Sequence, residues 1–522
     1  MSIESKNPIM PGFYPDPSIC AVGDDYYLVN SSFAYFPGLP LMHSKDLVHF
    51  EQIGNVLDRP SQLPLPGAGV SQGLFAPTIR YHEGTFYVIC TNVTWGGNFV
   101  VTAQNPEGPW SEPHYLEGAD GIDPSLFFDE DGKCYYIGTH PNPDGVKYNG
   151  DWFIYIQELD VKNWKMVGEQ HNVWNGALKG VHWPEGPHLY KIGEYYYILH
   201  AEGGTGPEHA VSVARSKEVF GPYENNFCNP ILTHRHLGQQ YPIKYVGHAD
   251  LIQTPKGEWY MTMLAVRPKE CFTTMGRETF LAKVTWENDW PVVNAGVGTL
   301  TDVVAVDLPQ WEPEKDASSY TVRTGHKTCV PGSSRSYDFK AMKELGDEFM
   351  TLRAPLADRM KLVSGEGLKL CFDKEPLTGK GVPSYVCIRQ QHHCFTVSAK
   401  LKASEVTGEN AAGLVLFQNE FYHLKVEVKA GKASLVLCEK GEDKVLASTE
   451  ICGDEVTLGL SVEDLSAKGF IEDVNGKRFF ETDADVRNLS TEVAGGFVGC
   501  TAGLYALGEG AAVTFEGFSY QA

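Results

Sequence analysis

The sequence predicts an all-β protein, a five-bladed β-propeller followed by a β-sandwich. Three observations carry that prediction: a five-fold repeat before residue 300, strands rich in Tyr and branched residues, and no long amphipathic helix in that stretch. The repeat units begin at Asp16-Pro-Ser-Ile, Ala76-Pro-Thr-Ile, Asp123-Pro-Ser-Leu, Gly186-Pro-His-Leu and His248-Ala-Asp-Leu. Each continues through a turn containing Gly23, Gly84, Gly132, Gly193 or Gly257. Each then reaches a Tyr at the matching place: Tyr27, Tyr87, Tyr136, Tyr196 and Tyr260. The spacing is that of a four-stranded blade plus a loop. The alternative is a β-sandwich whose hairpins resemble one another by chance.

Local composition agrees. Asp24-Asp25-Tyr26-Tyr27-Leu28-Val29 and Glu194-Tyr195-Tyr196-Tyr197-Ile198-Leu199 are aromatic and branched, as half-buried pleated strands prefer. The repeat stops near residue 300. Leu308-Pro309-Gln310-Trp311-Glu312-Pro313-Glu314-Lys315 reads as a connector, and Pro331-Gly332-Ser333-Ser334 as a second break. The predicted organisation is therefore a propeller over 1–305, a linker over 306–332 and a sandwich over 333–522. Alternating runs such as Phe395–Leu401 and Tyr422–Val428 support strands in the last part. The sandwich is read as a packing partner that completes or shields a pocket, with a binding module as the alternative.

Bulk properties narrow the partners. The 522 residues carry 43 basic and 66 acidic side chains, a formal net charge of −23. Such a surface repels nucleic acid and anionic membranes, but leaves a neutral substrate unaffected. Twelve cysteines are scattered without a C-x-x-C pair, so no zinc or redox motif stands out. With no apolar run of signal-peptide or membrane-spanning length, the expectation is a cytoplasmic protein with reduced thiols.

The repeat bears on chemistry. If the turn before the first strand of each unit faces the propeller axis, then Asp16, Ala76, Asp123, Glu185 (one residue before Gly186) and His248 converge there. Three carboxylates and a histidine in one hollow suit acid–base work.

Five motifs carry a resemblance: Gly12-Phe13-Tyr14-Pro15-Asp16-Pro17-Ser18, Gly121-Ile122-Asp123-Pro124-Ser125, Trp183-Pro184-Glu185-Gly186-Pro187-His188, Gly247-His248-Ala249-Asp250 and Gly276-Arg277-Glu278-Thr279. In order and separation they resemble glycoside hydrolase family 43, its β-xylosidase and α-L-arabinofuranosidase branch. The likeness spans essentially the whole chain, including a C-terminal concanavalin-like sandwich. The resemblance implies an inverting, exo-acting hydrolase that releases xylose from xylo-oligosaccharides, or an arabinofuranosidase, or both. It implies Asp16 as general base, Glu185 as general acid and Asp123 as the residue that orients and tunes the acid. Arg277 is implied as a contact to substrate hydroxyls, and His248 as a position associated with a central calcium ion or bound water; no cofactor is required. Where many relatives have Trp-Ala-Pro, this chain has Phe75-Ala76-Pro77. Phe33, Phe75 and Trp183 are the aromatic candidates for lining the sugar site, with His248 beside them. A homo-oligomer is expected from the same likeness.

Two other classes compete. A saccharide-binding propeller without catalysis is disfavoured by the presence of all three carboxylates. A retaining fructosidase-type propeller is disfavoured because neither Asn-Asp-Pro-Asn-Gly nor Arg-Asp-Pro occurs.

Overall fold

The structure, a computed structural model, describes residues 3–313, 329–451, 453–473, 476 and 478–522. The predicted connector Leu308–Lys315 runs beyond these at Glu314 and Lys315. Its described part packs on the first blade: Trp311 is buried edge-on to His43, and its N–H donates to Asp46 Oδ2 at 2.9 Å.

Five antiparallel sheets follow one another along the chain. The first blade runs through Ser18–Val22, Asp25–Val29, Gly38–Ser44 and Glu51–Leu57. The remaining inner strands are Thr78–His82, Ile122–Phe128, Glu185–Ile192 and Lys244–Gln253, each leading outward through hairpins of its own blade. Each of the five contains or closely follows the first residue of its repeat. Outside the blades, Ile3–Lys6 pairs with Val303–Val306, which joins the two ends of the propeller segment.

A buried polar hub draws on all five inner strands. Asp250 accepts from Arg80 Nη1 at 2.8 Å, Ser18 Oγ at 2.7 Å and Tyr190 OH at 2.5 Å. Arg80 also reaches His188 Nδ1, as does Ser125 Oγ at 3.0 Å. Burial pushes the Asp250 carboxyl up, but the Arg80 charge and the hydrogen bonds from Arg80 and Tyr190 outweigh it and hold it well below the usual range. Burial takes His188 down to about 3, so it is a neutral acceptor here. Removing one partner of such a pair leaves the other charge uncompensated, at about 3–5 kcal/mol. The hub thus ties the blades together at the axis.

The rest of the chain is a sandwich of two eight-stranded sheets over one aliphatic core. Among the described residues the only α-helix is Thr491–Ala494. One sandwich sheet takes its edge strand, Tyr35–Phe36, from the propeller, paired to Met350–Leu352. A shared apolar seam includes Phe13, Phe33, Tyr385, Phe417 and Tyr505. Arg353, buried and paired with Glu420 within the sandwich, crosses it by donating its backbone N–H to Ala34 O and its Nε–H to Ala68 O. Backbones meet at the seam too. A Cβ on Gly276 would lie 2.6 Å from Gly499 N, and one on Gly12 would lie 2.4 Å from Gln390 O. The sandwich therefore braces the two segments that lead into Asp16 and Arg277.

Candidate active site

The turn before each inner strand explains how the site is assembled. Asp16, Asp123, Gly186 and His248 occupy the same place in their repeats, and all take left-handed backbone, with φ of 52°, 53°, 57° and 49°. Non-glycine residues held there cost about 1–3 kcal/mol each. The inner strands of blades three, four and five slip register at this point. The irregularity turns side chains out of the pleat and toward the axis.

Asp16 is buried and held on several sides. Ser31 Oγ donates to Oδ2 at 2.5 Å, and Arg277 Nη1 donates to Oδ1 at 2.8 Å. His248 Nδ1 stands 3.8 Å from Oδ1. Burial raises the Asp16 carboxyl, but Arg277, then His248 and the Ser31 hydroxyl, outweigh it and hold it below the usual carboxylate range. Asp16 is therefore ionised.

Asp123 accepts the Gly186 N–H at 3.0 Å, gripping the peptide just after Glu185. Gly186 lies against the His248 ring, where a Cβ would come within 2.9 Å of ring atoms, so only glycine fits. Thr139 Oγ1 donates to Pro184 O at 2.6 Å, fixing the peptide just before. Burial lifts Asp123 above the usual range, reinforced by the Asp16 charge and only partly offset by His248. Glu185 goes much further. Burial, then the charges of Asp123 and Asp16, hold it well above the usual range, with Arg277 opposing. Two carboxyls facing one hollow are thus poised oppositely, one ionised and one protonated.

Two of the three aromatic candidates, Phe33 and Phe75, converge, with one addition. Phe33 and Phe75 meet edge-on at 5.7 Å. Phe497, from the sandwich, stacks on Phe33 at 6.1 Å and meets Phe75 edge-on at 5.8 Å. The Arg277 guanidinium lies 5.8 Å from the Phe33 ring and 5.5 Å from the Phe497 ring. Phe33 is 1% exposed, so it backs the wall, whereas Phe75 and Phe497 keep accessible surface. Trp183 is wedged between loops: a Cβ on Gly150 or Gly204 would meet its ring at 2.8 or 2.7 Å. Beside Gly204, Thr205 Oγ1 accepts from Arg277 at 3.2 Å.

His209 supports His248 from behind. Its Nδ1–H donates to Tyr245 O at 2.9 Å, and a Cβ on Gly247 would run into its ring. Burial takes its imidazole down to about 3, leaving it neutral.

The site does not fit a calcium ion held by protein alone. His248 offers one imidazole, and the nearest carboxylate, Asp16, is engaged by Arg277 and Ser31. Calcium takes six to eight oxygen ligands. Among the described residues one other group, His423, Cys438 and Asp443 in the sandwich, has metal-like spacing. There the Lys425 ammonium, 2.6 Å from Asp443, already supplies the cation.

Ser31, Thr205, His209 and Phe497 were not singled out from sequence. Thr205 lies in the loop Gly203-Gly204-Thr205-Gly206, a composition that flags close backbone approach. Phe497 follows Gly495-Gly496, yet nothing in that local pattern points to a pocket in the propeller.

Comparison with known proteins gives concordant results. The model described as "Glycosyl hydrolases family 43" matches residues 5–291, and that described as "Beta xylosidase C-terminal Concanavalin A-like domain" matches 336–521. A "Xylosidase/arabinosidase" of Butyrivibrio fibrisolvens is 51% identical over 513 residues, 97% of this chain and 96% of that protein. A "Non-reducing end alpha-L-arabinofuranosidase" of Bacteroides ovatus is 37% identical over 538 residues, 99% of this chain and 94% of that one. The crystal structure of a "xylan beta-1,4-xylosidase" from Bacillus halodurans superposes with a TM-score of 0.88 at 33% identity, covering 99% of this chain and 100% of that one.

Proposed function

The chain belongs to glycosyl hydrolase family 43 and is a glycoside hydrolase, and from that premise we propose that it removes single xylose units from the non-reducing ends of xylo-oligosaccharides with inversion at the anomeric carbon. The observation that carries this reading is the opposite poise of Asp16 and Glu185 in one hollow beside Arg277. The names of the relatives add the pentoside class: one is a xylosidase/arabinosidase and one a xylan xylosidase.

In this mechanism Asp16 takes a proton from a water as its oxygen bonds to the anomeric carbon. Glu185 gives its proton to the glycosidic oxygen as that bond breaks, so atoms and charge balance. Base and acid come from the first and fourth blades, and inversion needs them about 6.5–9.5 Å apart so that water fits on the far side of the sugar ring. Asp123 holds the acid's following peptide through Gly186 N–H and adds negative charge that keeps Glu185 protonated. Arg277 keeps Asp16 ionised and presents its guanidinium to substrate hydroxyls. Phe497 and Phe75 supply accessible aromatic surface against which a sugar ring would pack, with Phe497 beside Arg277.

α-L-Arabinofuranoside cleavage is the second reading, favoured by the arabinofuranosidase relative. Nitrophenyl β-xyloside and α-L-arabinofuranoside separate the two, and failure to turn over either sinks both. NMR of fresh product from a β-xyloside is expected to show α-xylose first; β-xylose first contradicts inversion. A cytoplasmic location, resting on cysteine usage, and assembly as a homo-oligomer complete the proposal; fractionation and sedimentation test them.

The pH profile tests the role of Arg277. Asp16 works as base only while ionised, so its limb is lost as pH falls through its pKa. Glu185 works as acid only while protonated, so its limb is lost as pH rises. Arg277 lowers both groups. Arg277→Ala is therefore expected to move both limbs of kcat/KM to higher pH, while Arg277→Lys moves them less. An unmoved acidic limb in Arg277→Ala contradicts the role.

A further inference from the structure

Behind the strand bearing Glu185, the fourth blade buries a polar cluster that the chemistry above does not use. His200 and Glu202 lie on Tyr195–Glu202, the strand paired to Glu185–Ile192, and Ala201 between them is the register partner of Glu185. Both are buried, at 0% and 1% exposure, with His200 Nε2 3.4 Å from Glu202 Oε2.

Glu202 Oε2 accepts the Ala177 N–H at 3.0 Å. At Gly176 a Cβ would lie 2.0 Å from Val181 Cγ1 and 3.5 Å from Glu202 Oε2, so the loop folds tightly over the carboxylate. This loop, residues 175–184, joins the last strand of the third blade to Glu185. Its far end is held by Gly203 N–H to His182 O at 2.8 Å and by Trp183 N–H to Gly150 O at 2.7 Å. Glu202 and its neighbour Gly203 thus pin the loop near both ends.

The cluster is polar well beyond what its protein partners satisfy. Glu202 Oε1, His200 Nδ1 and Trp174 Nε1 are buried without a hydrogen-bond partner in the protein, and His200 Nε2 and Ser212 Oγ make no well-aligned bond although His200 Nε2 stands beside the Glu202 carboxylate. Ser212 faces His200 across the strand pair, and Trp174 stands edge-on to the His200 ring. Buried carboxylates and imidazoles need such partners, and a resident water with two to four polar neighbours is the usual one. Burial raises Glu202, but His200 and the Ala177 N–H outweigh it, so the carboxylate is ionised and a strong acceptor.

We propose that Glu202 is a positioning residue for Glu185: its carboxylate ties down the 175–184 loop, and internal water held among His200, Ser212 and Trp174 completes its hydrogen bonding. The proposal rests on Glu185 being the acid. A loop free to shift displaces Glu185 from the leaving oxygen, which matters where protonation limits the rate.

The test uses the full-length enzyme with Glu202→Ala, Glu202→Gln and Ala177→Pro, the last deleting the donated N–H while also fixing φ at residue 177. Rates are compared on xylobiose, a poor leaving group, and on a dinitrophenyl xyloside, which needs little protonation. Glu202→Ala and Ala177→Pro are expected to lose about 100-fold on xylobiose, the scale of an ångström of misplacement, and far less on the activated substrate. Glu202→Gln, whose carbonyl still accepts from Ala177, is expected to restore most of the rate. A crystal structure is expected to show water bonded to at least two of His200, Ser212 and Trp174. Equal losses on both substrates mark Glu202 as merely structural and overturn the proposal, as does a dry cluster or an unchanged rate in Ala177→Pro. If Glu185→Gln itself shows no leaving-group dependence, it is the acid assignment that fails instead.

Discussion

Asp16→Asn is expected to lower kcat/KM on xylobiose by about 10⁴-fold, the upper end of general-base contributions. The amide keeps the shape: its oxygen still accepts from Arg277 while its NH2 turns to the Ser31 hydroxyl as a donor, so the surroundings stay assembled while the group that takes the water's proton is lost. Arg277 loses its charged partner, and a modest fall in Tm accompanies the change. The loss is equally severe on activated aryl xylosides, because every leaving group needs the attacking water. The acidic limb of the pH profile disappears from the residual rate. Steady-state kinetics on both substrates provide the check. A variant within about tenfold of the parent, outside the general-base range, removes Asp16 from the mechanism.

Glu185→Gln is expected to separate substrates instead. On xylobiose the loss is about 10³-fold, within the range for general acids. On a dinitrophenyl xyloside it is small, because that leaving group departs without a proton. The alkaline limb vanishes, since the group whose pKa burial, Asp123 and Asp16 hold high is gone. A loss independent of leaving group contradicts the assignment. Together the two variants distinguish base from acid: one fails on all substrates, the other mainly on poor ones.

Much of the fold was legible in the sequence because the repeat is local. An inner strand, a glycine turn and a Tyr-bearing return strand recur within one blade, and hairpins are written in adjacent residues. The Asp16 and Asp123 positions were legible for the same reason, since each stands at the repeat's own turn. Glu185 was offset by one residue, and the structure shows why glycine takes the repeat position there: Gly186 lies against His248 and gives its N–H to Asp123. A calcium ion or bound water at His248 was not legible in the sequence, because a ligand set depends on what neighbouring blades bring and sequence spacing does not show it.

The sequence by itself determined the all-β architecture and the count of five blades, because periodicity is a property of neighbouring residues, whereas the carboxylate trio and Arg277 were marked as a set by the family's motifs. Only the tertiary structure decided that burial and neighbouring charges push Asp16 and Glu185 in opposite directions, that Phe497 of the sandwich packs on Phe33 and Phe75, that one sandwich sheet borrows Tyr35–Phe36 from the propeller, and that Glu202 accepts the Ala177 N–H in the loop before Glu185. Burial and charge at a site are sums over groups far apart in the chain, such as Arg277 on Asp16, and those sums exist only once the blades have closed around the axis.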